Sequence, residues 1–160
     1  MGDVDGDGDL DVVAASGSVF DSQPNRSYLN NGSANPLNGI TGVNISNGGR
    51  TLSAALGDVD GDGDLDVVFG NSDLTVGNPN RLFLNNGSVN PFEGVTGTDI
   101  TADNDRTSAI ALGDIDGDGD LDVIAGNGGI SGERNRLYLN NGNAAPFSGV
   151  TGVNLSLIHI

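Results

Sequence analysis

The stretch GDVDGDGDLDV at residues 57–67 occurs three times in this 160-residue chain: at 2–12, at 57–67 and, with Ile for Val at its third position, at 113–123. Two other strings keep step with it. Asn-Arg-x-(Tyr/Phe)-Leu-Asn-Asn-Gly starts at Asn25, Asn80 and Asn135, and Gly-x-Thr-Gly at Gly39, Gly94 and Gly149. The spacing is 55 or 56 residues throughout, so the chain reads as just under three tandem copies of one unit. A short repeat of this kind cannot bury its apolar face alone and must stack on its neighbours.

Each copy reads as strands. Glycine is 27 of 160 residues, which disfavours long helices because each Gly costs about 1 kcal/mol relative to Ala. Thr51–Gly57 (TLSAALG) and Thr107–Gly113 (TSAIALG) are short and apolar on both faces, as a strand between neighbouring sheets should be. After each acidic stretch comes a β-branched run, residues 65–70 (LDVVFG) in the middle copy. Residues 81–84 (RLFL) run into Asn85-Asn86-Gly87, which predicts a tight hairpin, and residues 92–100 predict a weaker, Gly-broken fourth strand. Repeats with four short antiparallel strands form propeller blades. The expected fold is all-β: about three four-stranded antiparallel blades of a β-propeller.

The expected units are residues 1–50 (first strand missing), 51–106 and 107–155, with 156–160 as an unmatched tail, a truncation scar. Three blades do not close a ring of four to eight, so the chain is expected to be a fragment of a larger ring.

Fifteen of the 22 acidic residues lie in the three repeated loops: Asp3, Asp5, Asp7, Asp9 and Asp11; Asp58, Asp60, Asp62, Asp64 and Asp66; Asp114, Asp116, Asp118, Asp120 and Asp122. Alternating carboxylates around a Gly suit a hard cation that takes six to eight oxygens. Side chains at loop positions 1, 3 and 5 are expected to curl around one point, with Gly8, Gly63 and Gly119 at the sharp bend. Position 7 (Asp9, Asp64, Asp120) offers its backbone carbonyl, and position 9 closes the shell. Without a cation, five carboxylates roughly 6–8 Å apart repel by about 0.5–0.7 kcal/mol per pair even in water, several kcal/mol per loop. An EF-hand is excluded, since its twelfth position falls on Ala14, Phe69 and Ala125 and its flanks here are β. The period is wrong for nonapeptide calcium β-rolls. Magnesium keeps its waters and demands an octahedron, so the expectation is about three Ca²⁺, one per loop.

The segment from Thr107 to Asn140, with its apolar strand, Asp-x-Asp-Gly-Asp-Gly-Asp-Leu-Asp loop, second strand and Asn-Arg-Leu-Tyr-Leu-Asn, resembles an FG-GAP/VCBS repeat. That is the blade type of the integrin alpha-subunit propeller and of many bacterial surface proteins. The resemblance covers essentially the whole chain. It departs in its rather short blades and in Gly70-Asn71 and Gly126-Asn127, where the family has Gly-Ala-Pro. It implies a ring of about seven blades and a secreted or cell-surface protein working in adhesion or in protein or carbohydrate recognition. A propeller domain of an extracellular hydrolase or polysaccharide-degrading enzyme, and a passive spacer, are the alternatives.

Composition excludes much else. A net charge of −16 with no lysine argues against nucleic acid. The absence of cysteine excludes disulfides, thiolate metal sites and a Cys nucleophile. No apolar run approaches the roughly 20 residues of a membrane helix. The single histidine, His159, lies in the unmatched tail and the two glutamates, Glu93 and Glu133, fall in different copies, so no catalytic set is expected.

Arg26, Arg81 and Arg136 recur in register, as do Arg50 and Arg106, and are expected in ion pairs or carbonyl contacts within blades. Tyr28, Phe83 and Tyr138, and Leu37, Phe92 and Phe147, are expected core stripes. Copies differ most in their strand two–three connections, residues 16–24, 71–79 and 127–134, and in the linkers 46–49 and 101–105. Variable loops on a rigid scaffold are where recognition resides, so the face carrying them is the expected ligand face.

Overall fold

The computed structural model describes residues 1–17, 23–46, 49–73, 77–128 and 133–155. Its eleven strands form three antiparallel sheets in sequence order. The first holds β1 (Val12–Ala14), β2 (Arg26–Tyr28) and β3 (Val43–Asn44). The second holds β4 (Thr51–Gly57), β5 (Asp66–Asn71), β6 (Arg81–Phe83) and β7 (Thr98–Asp99). The third repeats it with β8 (Thr107–Gly113), β9 (Asp122–Asn127), β10 (Arg136–Tyr138) and β11 (Val153–Asn154). These are propeller blades. There is no helix among the described residues, hence none long and apolar enough to cross a membrane.

Register is conserved from sheet to sheet. Gly57 pairs with Asp66 and Gly113 with Asp122, and Gly2 meets Asp11 in an isolated bridge at the same place in the first sheet. Each acidic loop therefore leaves and re-enters its sheet at a Gly–Asp pair. Near the other end of β4 and β8 the register shifts, between Thr51 and Ser53 and between Thr107 and Ala109.

The core lies between sheets. Strand β5 alternates its side chains: Val67 and Phe69 join Val4, Ile45, Phe83 and Phe92 in a cluster against the first sheet. Val68 turns the other way, into a cluster with Val123, Ala125, Tyr138 and Phe147 of the third. Both faces of this strand are buried, as its unbroken apolar run predicts. The expected aromatic stripes are confirmed where a sheet covers them. Phe92 is buried, whereas its counterpart Leu37 is 43% exposed on the face of the first sheet that no other sheet of this chain covers. Likewise Val59 is 3% exposed and its counterpart Ile115, on the far face of the third sheet, 50%. The inner strands are less enclosed than their apolar sequences suggest: Leu52 is exposed in β4, and Ser108, Ala109 and Ala111 in β8.

Two expectations about the outer part of each blade need correction. Asn85-Asn86-Gly87 does not close a tight hairpin, and residues 92–97 are not strand. The chain leaves the sheet after Phe83 and re-enters only at Thr98. The intervening loop is held by Asn86 N–H donating to the Pro91 carbonyl (3.0 Å) and Val95 N–H to that of Phe92 (3.3 Å). The cause is Asn85 itself: its N–H and its amide are spent on the acidic loops, as described below, so they cannot continue the ladder. Gly97 ends the excursion by lying flat on the Phe83 ring, where any Cβ would collide with it. This is the physical meaning of the Gly-x-Thr-Gly string.

Candidate metal centres

Each acidic loop is wound around its first aspartate. Asp58 accepts from Gly61 N–H on Oδ1 (2.8 Å) and from Gly63 N–H on Oδ2 (3.0 Å). Asp3 does the same with Gly6 and Gly8 (2.8 and 3.0 Å), and Asp114 with Gly117 and Gly119 (2.7 and 3.1 Å). The winding needs a left-handed backbone at the second glycine, and φ there is +94°, +97° and +99° at Gly8, Gly63 and Gly119. A side chain at such φ is strained, which is why the bend is a glycine in all three copies.

The curl brings carboxylates together. Asp3, Asp5 and Asp11 place one oxygen each within 4.8 Å of one another, as do Asp58, Asp60 and Asp62, and Asp114, Asp116 and Asp122. Positions 1 and 3 thus converge in every loop. The third member is position 9 in the outer loops and position 5 in the middle one. Asp7, Asp118 and Asp66 do not join these groups. Position 7 points elsewhere. The Oδ2 atoms of Asp9, Asp64 and Asp120 lie against Gly32, Gly87 and Gly142 of the Asn-Asn-Gly turns, within about 3 Å of where a Cβ would stand. Any contribution of position 7 to a cation would therefore come from its backbone carbonyl.

Position 9 carries a second job that sequence reading missed. Asp11, Asp66 and Asp122 are almost completely buried. Asp66 accepts from Val59 N–H on Oδ2 and from Asn85 N–H on Oδ1, both at 2.8 Å. Asp11 does so with Val4 and Asn30 (2.9 and 2.7 Å), Asp122 with Ile115 and Asn140 (2.8 and 2.9 Å). This aspartate ties the loop to the strand three–four connection, and each oxygen keeps a second lone pair for a cation.

The same Asn links neighbouring sheets. Asn85 Nδ2 donates to the Val4 carbonyl in the preceding sheet's loop (2.8 Å) and to Leu65 of its own (3.2 Å). Asn140 repeats this with Val59 (2.7 Å) and Leu121 (3.1 Å). The acidic loops are therefore stitched in series. The invariant register of Asn30, Asn85 and Asn140 is the sequence signal for this link.

The electrostatics are those of a charge-crowded cradle. Burial, with the Asp60 and Asp62 carboxylates behind it, pushes the Asp66 carboxyl up to about 6 against two lowering backbone hydrogen bonds. Asp5, Asp60 and Asp116 are also raised, first by desolvation and then by facing aspartates. In the middle loop Asp60 Oδ1 is buried and has no hydrogen-bond partner among the described residues. A buried carboxylate oxygen without a donor is costly, and a cation is the partner that its surroundings of other carboxylates leave room for. The residues fit a hard divalent ion.

The arginines divide. Arg26 donates to Asn44 Oδ1 (3.0 Å) and Arg81 pairs with Asp99 (3.2 Å), both within one sheet. Arg136 instead pairs with Asp103 (3.3 Å) and Asp105, from the linker that joins the second and third sheets. Of the divergent connections, residues 18–22, 74–76 and 129–132 lie outside the described residues, as do linker residues 47–48 and the tail 156–160 with His159.

A family model described as FG-GAP-like repeat matches residues 3–69 and 70–125, together more than half of the chain. No curated protein matches it.

Proposed function

Because the chain belongs to the FG-GAP-like repeat family, we propose that it is a calcium-binding β-propeller segment of a secreted or cell-surface protein, acting in adhesion or in recognition of a protein or glycan. The observation that carries the calcium assignment is the convergence of three carboxylates within 4.8 Å in each loop, with the orphaned Asp60 oxygen at the middle one. The ligands would be Asp3, Asp5, Asp7 and Asp11 with the Asp9 carbonyl, and their counterparts Asp58, Asp60, Asp62, Asp66 with Asp64, and Asp114, Asp116, Asp118, Asp122 with Asp120. A bound dication there would convert carboxylate repulsion into attraction and brace both ends of the Asn-mediated stitch between sheets. This is a structural role, and we assign the carboxylates to it rather than to acid–base catalysis. Calcium sites of extracellular modules can be as weak as about 0.1–1 mM, which fits shallow, largely exposed loops.

Recognition is assigned to the opposite end of the sheets, where the strand two–three connections diverge. Equilibrium dialysis against calcium tests the first half: three ions per chain, falling to two when Asp58, Asp60 and Asp62 are changed together to Asn. An unchanged count overturns it. Exchange of residues 71–79 for 127–134 tests the second: partner binding is lost while calcium-dependent melting persists.

A further inference from the structure

At the end of the sheets away from the acidic loops, the seam between the first and second sheets opens into a cavity of about 390 Å³. Ser46, Arg50, Arg81 and Asp99 line it, beside Asn71, Asn78 and Phe83. Two of the six cationic side chains of a −16 chain thus meet in one cleft. Among the described residues Ser46 Oγ and Arg50 Nε are buried with no hydrogen-bond partner. The one hydrogen bond of the Arg50 guanidinium there is long, 3.4 Å from Nη1 to Ser72 Oγ, and no carboxylate pairs with it. Arg81 is held by Asp99 and by the Gly97 carbonyl, so among the described residues Arg50 is the guanidinium of this cleft that no carboxylate pairs with.

The second seam shows what such a cleft takes. There Arg136, in register with Arg81, meets Asp105 and Asp103 of the linker. Arg106, in register with Arg50, donates its backbone N–H to Glu133 (2.8 Å) and its Nε to the Asp73 carbonyl (2.9 Å). All three carboxylates are missing from the first seam: its linker, residues 46–49, reads Ser-Asn-Gly-Gly, and Asn78 stands where Glu133 would. Both cations are retained; among the described residues Arg81 keeps a carboxylate in Asp99, and Arg50 has none.

We propose that this first-seam cavity binds a ligand through its carboxylate, with Arg50 as the principal contact and Ser46 and Asn78 as further hydrogen-bonding groups. A planar guanidinium fork matches a carboxylate's two oxygens. The cavity is large enough for one acidic sugar ring or one acidic side chain with its neighbours. The proposal rests on reading this end of the propeller as the recognition face and names the chemistry recognised there.

The test is an NMR titration of the whole chain in calcium with three probes: a galacturonate trimer, a short aspartate- and glutamate-containing peptide, and a neutral galactose trimer. Saturable 1:1 binding of a carboxylate probe is expected, and which one binds identifies the source; the neutral trimer leaves the spectrum unchanged. Arg50→Ala should weaken binding about ten- to a hundredfold, the range of a lost charge-assisted hydrogen bond. Asn78→Glu, which restores an internal carboxylate, should weaken it comparably while leaving the fold and calcium-dependent melting intact. Binding by neither carboxylate, equal binding of the neutral trimer, or binding that survives both substitutions overturns the proposal. A ligand that depends on residues 71–79 but not on Arg50 would leave the recognition face standing and this site refuted.

Discussion

Replacing Asn85 by alanine should cost far more than the same change at Asn30, although the two occupy one position of the repeat. Asn85 Nδ2 bonds the Val4 carbonyl across the seam at 2.8 Å and the Leu65 carbonyl at 3.2 Å; among the described residues Asn30 Nδ2 reaches only Leu10 of its own sheet, at 3.2 Å. Both side chains also accept from a glycine N–H two residues on, at 2.9 and 3.0 Å, so that contribution cancels in the comparison. Each bond lost costs about 0.5–1.5 kcal/mol, and a buried carbonyl left without a donor about 1–3 kcal/mol. Val4 is buried and Leu10 exposed. The expected cost is therefore about 2–4 kcal/mol at Asn85 and about 1 kcal/mol at Asn30, with Asn140→Ala behaving like Asn85→Ala. A gap of about 2 kcal/mol is about 4–8 °C in melting temperature for a chain this size. Differential scanning calorimetry at saturating calcium reads it directly. Equal losses at the three positions would refute the idea that the loops are stitched across seams.

Calcium-free protein should lose stability as pH rises. An aspartate whose folded-state pKa is raised binds more protons folded than unfolded, so its stabilising contribution is present at low pH and lost as pH climbs through about 6, the value for Asp66. The fall is about 2 kcal/mol for that group between pH 4.5 and 7.5, and urea melts in chelator at those two pH values measure it; greater stability at pH 7.5 would contradict the account. Gly97→Ala should unfold or strongly destabilise the chain because the Phe83 ring blocks the methyl, whereas Gly63→Ala, with open space around it, should cost only the left-handed strain of about 1–2 kcal/mol. Comparable costs in denaturant titrations would show that ring packing is not what fixes Gly97.

The repeat carried most of the fold. Thr51–Gly57 and Thr107–Gly113 are strands over the expected residues because their apolar runs end at glycines that pair with aspartates. The sequence pattern misled in the outer third of each blade. Asn86-Gly87 carries a hairpin signal, but Asn85 just before it gives its N–H to Asp66 and its amide to two loops, so the ladder stops short of the turn. In the acidic loops the convergence of positions 1 and 3 was legible from spacing. The burial and double hydrogen bonding of Asp66 were not, because its partners come from Val59 and from Asn85 in another connection. The cleft at Arg50 was hidden for a similar reason. Its character lies in carboxylates that the second seam has and the first lacks, a contrast that appears only once the sheets are stacked.

The most direct test of the whole account is the melting temperature of the chain with excess calcium and with chelator. Calcium at a hundredfold over its dissociation constant adds about 2.7 kcal/mol per site through linkage, so three cooperating loops should raise the transition by well over 10 °C. Identical melting curves in calcium and in chelator would contradict the claim that these aspartate hairpins hold the propeller sheets together around a dication.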